Sequence, residues 1–230
     1  MKYAIDLHIH SALSPCAADD MTPNNIINMA ILKGLDIIAI TDHNSCDNIE
    51  AVMEVGGDDI FIIPGMEVQS KEEVHLLCYF TDLDTIFTFD SIIRAKLPKI
   101  LNDPNIFGNQ YIMDSFDNIV STRDELLLTS VDMTVDEITQ EVRRLDGLVI
   151  PAHVDRMSYS ILSQLGFIPS ELEFSTLEVS DLTAIDELNL KGYNYILSSD
   201  AHFLGDIMER EMFVDLQYLD AYELLSLFRK

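Results

Sequence analysis

All six histidines of this chain lie in or directly after short apolar runs that read as β-strands. Acidic residues occupy similar positions, so that five polar side chains stand where a predicted strand ends: His10, His43, Glu67, His153 and Asp200. In a barrel of parallel strands the carboxyl ends meet at one rim. The placement therefore favours a barrel-like fold that gathers imidazoles and carboxylates from the whole sequence at one rim.

Short β-branched runs separated by helical patterns define the expected architecture. Alternating strands and helices favour parallel pairing and an α/β class. Thr22-Pro23 is typical of a helix start, and Gly34 of its end. Thr134 and Glu137 form a capping-box pattern that opens a helix reaching residue 146. Two further helices are predicted at 183–191 and 218–229, and strands at about 3–9, 35–41, 60–68, 74–80, 147–152, 175–180 and 194–199.

Residues 82–133 interrupt this alternation. The segment is polar, contains Pro98, Pro104 and Gly108, and shows no clear strand pattern. We expect a helix near 88–101 followed by a long loop, serving either as a lid or binding insertion or as a peripheral elaboration. The whole chain, 1–230, is expected to form a single domain that carries this insertion.

The charge of the chain is strongly negative, with 14 Lys and Arg against 40 Asp and Glu and a net charge of −26. Such a surface repels phosphates and anionic membranes over a Debye length of about 8–10 Å. Long nucleic acid is therefore expected to be an unlikely partner, and no membrane partner is expected. A small anionic substrate stays compatible, because bound divalent ions would add local positive charge. The oligomeric state is not indicated.

The expected location is the cytoplasm. Three cysteines do not suggest a disulfide framework. No signal peptide is recognisable, and no apolar run approaches the roughly 20 residues of a membrane span.

Two motifs at the ends of the chain point to metal binding. His8 and His10 alternate with apolar residues, so the period of two in a strand puts both imidazoles, and Asp6, on one face. Near the other end, Asp200-x-His202 places a carboxylate and an imidazole on one face of an extended segment. Neutral imidazole is the commonest side-chain ligand of zinc and similar metals.

The middle of the chain adds three further positions. His43 follows Asp42, which could orient the imidazole by a hydrogen bond. Glu67 has the character of a carboxylate that bridges two ions, and His75 stands in the next predicted strand. Asn44 and Ser45 are interpreted as caps of the next helix or as substrate contacts.

Taken together, these motifs resemble the PHP family, named for polymerase and histidinol phosphatase domains. They read His8-x-His10, Thr41-Asp42-His43, Gly65-Met66-Glu67, His75, Pro151-Ala152-His153 and Ser199-Asp200-Ala201-His202. The resemblance implies a distorted seven-stranded (β/α)7 barrel with two or three divalent ions (Zn, Mn or Fe) at the carboxyl ends of its strands. By analogy, the metal ligands would be His8, His10, Asp20, His43, Glu67, His75, His153, Asp200 and His202.

The chain departs from the family pattern after its second histidine, where the family often supplies an aspartate in a Ser-Asp-Gly turn. Here Asp20, Asp19 and Cys16 are the alternatives. Asp20 is favoured because it lies just before a predicted helix and its hard carboxylate suits Mn or Fe as well as Zn. A cysteine ligand would suit zinc more narrowly.

The resemblance implies a metal-dependent phosphoesterase that hydrolyses a phosphate ester of a small metabolite or nucleotide with a hydroxide activated by two or three metals. Arg156, three residues after His153, is predicted to bind the substrate phosphate through its guanidinium fork; the alternative is a salt bridge to one of the many acidic residues. Lys71 is a second candidate for that role, and Glu178 is predicted to face the barrel interior near the metals. The alternatives are an amidohydrolase-like hydrolase and a non-catalytic metal-binding regulatory module.

Overall fold

The computed structural model describes residues 1–229. It is a mixed α/β barrel-like fold built on a curled six-stranded sheet, with strand order β10-β1-β2-β3-β4-β7. The strands are β1 (Lys2–Ile9), β2 (Ile37–Ile40), β3 (Phe61–Gln69), β4 (His75–Tyr79), β5 (Tyr111–Met113), β6 (Ile119–Thr122), β7 (Leu148–Pro151), β8 (Thr176–Val179), β9 (Asn194–Leu197) and β10 (Phe213–Asp215).

Helices cover the sheet and one end of the fold. They are α1 (Pro23–Lys33), α2 (Ile49–Gly56), α3 (Leu83–Lys96), α4 (Pro104–Phe107), α5 (Val135–Arg144), α6 (Ile161–Leu165), α7 (Ala184–Glu187) and α8 (Ala221–Phe228). Two short 3₁₀ turns lie at Ser170–Leu172 and Leu204–Asp206. Within residues 1–229, no helix is long and apolar enough to cross a membrane.

The predicted helix ends are confirmed by their capping contacts. The Thr22 hydroxyl accepts a hydrogen bond from the Asn25 N–H, and Gly34 ends α1 in the left-handed region at φ 73°. At α5, Thr134 and Glu137 form both hydrogen bonds of a capping box. These local contacts satisfy backbone groups that a helix end would otherwise leave without a partner.

The α/β class and the barrel type are confirmed, but the pairing is not parallel throughout. β1, β2 and β3 pair in parallel, whereas β4 is antiparallel to both β3 and β7. Only residues 70–74 separate β3 from β4, too few for the crossover of a dozen or more residues that parallel pairing requires. As a result the amino end of β4, not its carboxyl end, lies at the rim where β2 and β3 end.

The last two predicted strands form a separate parallel pair, β8–β9. Backbone contacts join this pair to the six-stranded sheet on both sides. The Val154 N–H, just after β7, donates to the Glu178 carbonyl of β8 at 2.9 Å. On the other side Ala201, just after β9, bridges in parallel to Ile9 of β1. These two links bring the segments that follow β7 and β9 to the rim beside β1.

The insertion differs from its prediction in two ways. Its helix, α3, begins five residues earlier than expected, because Asp82 caps it by accepting from the Thr85 N–H at 2.8 Å. The expectation of no strand there is wrong, because β5 and β6 form an antiparallel hairpin. β6 is exposed along its whole length, so its sequence carries no alternation of buried and exposed positions. β10, which pairs with β1, was also missed.

Two apolar clusters hold the fold together. The larger packs the inner faces of α1, α2, α3 and α5 against the sheet, with Phe89 and Ile138 fully buried. The second packs α8 against β1–β4 and β7. Burying a side chain of this size stabilises the fold by roughly 1.5–3 kcal/mol, so both clusters give the rim a rigid support.

Candidate metal centre

The rim collects ligand-type side chains from six different strands or from the segments that follow them. His8 is the last residue but one of β1, and His10 directly follows that strand. Glu67 lies in β3, and His75 is the first residue of β4. The remaining four predicted residues in this cluster follow β2, β7 and β9: His43, His153, Asp200 and His202. Six of these eight are buried, and Asp200 and His202 are partly exposed. His153 and Asp200 adopt positive φ angles of 29° and 52°, a strained backbone that is common at functional sites.

The centre of the cluster is a close pair of imidazole nitrogens. His8 Nε2 and His10 Nε2 lie 3.1 Å apart. On its other side, His8 Nδ1 lies 3.0 and 3.1 Å from the two oxygens of the buried Glu178 carboxylate, so Nδ1 carries the hydrogen. His10 Nδ1 lies 2.9 Å from the Ser14 hydroxyl.

The Ser14 hydroxyl settles the tautomer of His10. It donates its one hydrogen to Asp42 Oδ1 at 2.6 Å, so it can only accept from His10 Nδ1. His10 Nε2 therefore carries no hydrogen and, like His8 Nε2, is free to bind a cation. Two such nitrogens at 3.1 Å repel unless a proton or a metal ion lies between them.

Carboxylates complete the surroundings of this pair. Asp200 Oδ1 lies 3.2 Å from His8 Nε2 and 3.1 Å from His10 Nε2, and Glu67 oxygens lie 3.5 and 3.4 Å from the same atoms. Burial disfavours a charged His8, yet Glu178, Asp200 and Glu67 raise its pKa well above the ordinary value. The space between His8 Nε2, His10 Nε2 and the two carboxylates therefore attracts positive charge. Four ligand atoms around one point suit a divalent ion.

Glu67 also extends the cluster in a second direction. Its Oε1 lies 2.8 Å from His75 Nδ1 and 3.2 Å from His153 Nε2, and its Oε2 lies 3.0 Å from His43 Nδ1. Burial would raise the pKa of Glu67, but His75, His8 and His43 hold it well below the ordinary value. The carboxylate therefore stays ionised and lies between two groups of imidazoles, as a bridging ligand would.

The candidate ligand atoms form three overlapping groups, and the atoms of each group lie within 4.8 Å of one another. Imidazole nitrogens and carboxylate oxygens are the donors that Zn, Mn and Fe share. Glu67 Oε2 and His153 Nδ1 are buried without a hydrogen-bond partner. The residues present therefore fit more than one divalent ion. The groups are His8, His10, Glu67 and Asp200; His43, Glu67 and His75; and His10, His43 and His202.

Several predicted roles change when the contacts are examined. Asp42 does not contact the His43 ring: it accepts hydrogen bonds from Ser11 and Ser14 and so orients His10. Glu178 does lie beside the cluster, as predicted, and it also accepts from the His153 N–H at 2.8 Å. Ser14 was missed, although its position four residues after His10 was the available signal.

Asn44 and Ser45, predicted to cap a helix or to contact substrate, hydrogen-bond to residues of the insertion. Asn44 is buried and its amide donates to the carbonyls of Leu127 and Thr129 at 2.7 and 2.9 Å, so it binds the insertion and caps no helix. The Ser45 hydroxyl lies 3.1 Å from the buried Arg123 guanidinium, also in the insertion. These contacts join the insertion to the rim.

The two aspartates of the loop after His10, Asp19 and Asp20, do not lie in the cluster. Asp20 is exposed and belongs to none of the three ligand groups, and the Asp19 carboxylate accepts from the Asn109 amide at 3.0 Å. Cys16 does lie at the mouth of the cluster with His43 and His202. The geometry therefore gives no support to Asp20 as a ligand.

Arg156 reaches the cluster, whereas Lys71 does not. The Arg156 guanidinium pairs with Asp200 Oδ2 and lies 3.0 Å from the Ser180 hydroxyl, with 40% of its side chain exposed. Lys71 lies on the surface and pairs with Asp132 at 2.8 Å. Arg156 is thus the cation at the open side of the rim.

A cavity of about 300 Å³ opens onto the cluster. Its walls include Arg156, Ser158 and Tyr159 from the segment after β7, and Leu128 from the insertion. The Tyr159 ring stacks on His75 with centroids 4.7 Å apart and planes 17° from parallel. Sequence reasoning missed Leu128 and Tyr159, because neither residue type signals a site without the tertiary fold.

Known proteins place this geometry in context. The chain is 29% identical over 205 residues to an uncharacterized protein of Methanocaldococcus jannaschii, an alignment that covers 89% of the chain and 22% of that protein. It also resembles the lesion-specific endonuclease PfuEndoQ from Pyrococcus furiosus, with a TM-score of 0.73, 20% identity, and coverage of 100% of this chain and 56% of that one. The chain thus spans only part of the length of these proteins.

Two further solved structures share the fold. An endonuclease Q complex with a 27-mer duplex carrying an abasic lesion at the active site has a TM-score of 0.63, 22% identity, and coverage of 89% of this chain and 50% of that one. A putative metal-dependent phosphoesterase from Bifidobacterium adolescentis has a TM-score of 0.53 and 18% identity, and the match covers 86% of this chain and 87% of that one.

The DNA complex corrects the expectation about partners. The endonuclease Q structure, which shares this fold, is a complex with a DNA duplex, so excluding long nucleic acid from the net charge alone was wrong. Net charge averages over a surface, whereas binding depends on the field at the site, where bound cations dominate. The family itself is shown by sequence: the PHP domain model matches residues 6–169, and the chain belongs to the PHP domain family.

Proposed function

We propose that this chain is a metal-dependent phosphoesterase. The observation that carries the proposal is the pair of hydrogen-free nitrogens, His8 Nε2 and His10 Nε2, at 3.1 Å between the carboxylates of Glu67 and Asp200. When bound, divalent ions there would polarise the phosphoryl group, activate the attacking water and stabilise the leaving oxygen.

The residues of the chain would supply position and charge to that reaction. His8, His10, Glu67, His75, His153 and Asp200 are proposed to hold two ions, with Glu67 between them, and His43 and His202 a third. Glu178 and Ser14 hold the hydrogens on His8 Nδ1 and His10 Nδ1, so that each Nε2 faces the site. These hydrogen bonds set the ligand geometry before metal binds.

Arg156 is proposed to bind the substrate phosphate. It lies at the cavity edge and pairs with Asp200, a proposed ligand. A guanidinium exchanges one carboxylate partner for two phosphate oxygens without losing its own charge. Leu128 and Tyr159 on the cavity wall would contact the group next to the phosphate.

The substrate class is tested with a panel that includes nucleic acid. It comprises p-nitrophenyl phosphate, its bis ester, and DNA duplexes with and without an abasic site. Turnover of one class, abolished by chelator and restored by Mn²⁺, Zn²⁺ or Fe²⁺, would support the proposal. Chelator-resistant turnover, or none with any ester after metal loading, would refute it.

Variants separate the metal cluster from the phosphate contact. His10→Ala should lose bound metal and activity together. Arg156→Ala should raise KM while retaining its metal, and Arg144→Ala is the matched control because Arg144 lies on the surface and pairs with Glu141 at 2.7 Å. An Arg156→Ala enzyme with unchanged kinetics would assign this arginine a structural role only.

A further inference from the structure

The third ligand group, at the open end of the cluster, is short of a donor. Its members are His10, His43 and His202. The one hydrogen-free nitrogen of His10 faces His8, and so it serves the central pair. Only His43 and His202 then remain, and two imidazoles are fewer than the three or four protein ligands of ordinary zinc sites.

Both remaining imidazoles have a free nitrogen. His202 Nδ1 donates to the Asp200 backbone carbonyl at 2.8 Å, which leaves its Nε2 without hydrogen. His43 Nδ1 lies 3.0 Å from Glu67 Oε2, so Nε2 is the His43 nitrogen left for a third ion. The Cys16 thiol lines the same cavity as both rings. A thiol has one hydrogen and cannot satisfy two acceptors, whereas a cation among the three would satisfy all of them.

The backbone around Cys16 is held in this position. The Ala18 N–H donates to the His202 carbonyl and the Ala17 N–H to the Ser14 carbonyl, both at 2.9 Å. Gly108 of the insertion packs against Pro15, the residue before Cys16. A Cβ at Gly108 would lie 2.0 Å from the Pro15 carbonyl oxygen, and the φ of Gly108 is 100°. These contacts hold the backbone on both sides of Cys16 at the mouth of the cluster.

We propose that the Cys16 thiolate, with His43 and His202, binds the third ion of this centre, in the place where the family often uses an aspartate. This inference rests on the proposed function and makes the third position a zinc site, because a thiolate favours Zn²⁺ over Mn²⁺. Binding forms a Zn–S bond and releases the thiol proton to solvent. Substrate or water would occupy the open fourth position toward the cavity.

Cobalt substitution tests the proposal directly. The full chain is stripped of metal and titrated with Co²⁺, which takes zinc positions and gives a near-ultraviolet charge-transfer band when sulfur is a ligand. The wild type should develop that band, and Cys16→Ser should lose it. Cys46→Ser, a change in a buried cysteine, should keep it and is the matched control.

The variants also separate the thiolate from the neighbouring acids. Cys16→Ser should weaken the binding of one zinc ion by at least about 10–100-fold. That is the loss in affinity usual when a metal ligand loses only its hydrogen-bond partner, and here the ligand itself is lost. Cys16→Asp should bind a third ion without the band and with a shift toward Mn²⁺. Asp20→Asn should keep both the stoichiometry and the band. Circular dichroism melting confirms that each variant is folded.

A second readout works with zinc itself. Iodoacetamide should modify Cys16 in the metal-free protein and not in the zinc-loaded one, since Cys46 and Cys78 are buried in either case. A wild type that binds ions without the sulfur band, or an Asp20→Asn variant that loses the third ion, would overturn the proposal. If two ions and chelator-sensitive turnover persist without the band, the thiolate assignment fails alone. If no ion binds, the proposed function fails with it.

Discussion

Replacing Glu178 with glutamine should weaken metal binding, although Glu178 is not one of the proposed metal ligands. The carboxylate accepts one hydrogen bond from His8 Nδ1 and another from the His153 backbone N–H. A glutamine side chain is uncharged and has one carbonyl oxygen. If that oxygen takes the place of Oε2, which lies near both donors, the amide NH2 takes the place of Oε1, 3.0 Å from His8 Nδ1. His8 Nδ1–H therefore loses its charged acceptor and faces a second donor at the base of the cluster.

The size of the effect follows from that lost contact. A hydrogen bond to a charged group contributes about 1.5–3 kcal/mol, and each 1.4 kcal/mol is about tenfold in affinity. Glu178→Gln should therefore raise the Kd for the most tightly held ion by about 10–100-fold, the range usual for partners of metal ligands. Competition with a chromophoric chelator measures this Kd without any substrate.

An exposed glutamate on the neighbouring segment provides the control. Glu171→Gln makes the same chemical change at an exposed position outside the cluster and should leave the Kd unchanged. If Glu178→Gln bound metal as tightly as the wild type, the hydrogen bond to His8 would not set the ligand geometry. The tautomer argument for the central imidazole pair would then be wrong.

Other changes test the remaining contacts. Ser14→Ala leaves the His10 Nδ1–H without its acceptor, so metal affinity should fall about 10-fold or more, again read by chelator competition; an unchanged affinity would remove Ser14 from the site. Gly108→Ala adds a Cβ against the Pro15 carbonyl at φ 100° and should destabilise the fold by about 1–3 kcal/mol, measured by urea unfolding. Phe89→Ala should cost about 3–5 kcal/mol with metal stoichiometry unaffected; a small loss would mean that this core position can collapse.

Much of the fold was accessible from local sequence signals. All seven predicted strands exist to within two residues of their bounds, because buried strands need continuous or alternating apolar residues. Capping residues such as Thr22 and Thr134 marked helix starts for the same local reason. The hairpin of the insertion and β10 were missed, because most of their residues are exposed or only partly buried, so they carry no run of buried apolar residues.

The candidate site divides in a similar way. Histidine next to acid at a strand end is a rare combination, so eight residues that the structure gathers at one rim could be named from sequence. The loop after His10 could not be resolved, because tertiary contacts decide which side chain faces inward. Asn109, 90 residues away from Asp19, holds that acid outside, and the backbone bond from Ala18 to His202 places Cys16 beside the imidazoles.

The most direct test of this account is the metal content of the full chain, measured by elemental analysis after purification without chelator. The account predicts two or three ions of Zn, Mn or Fe per chain, with His10→Ala binding fewer. One ion or none in the folded wild type, after reloading with each metal, would contradict it.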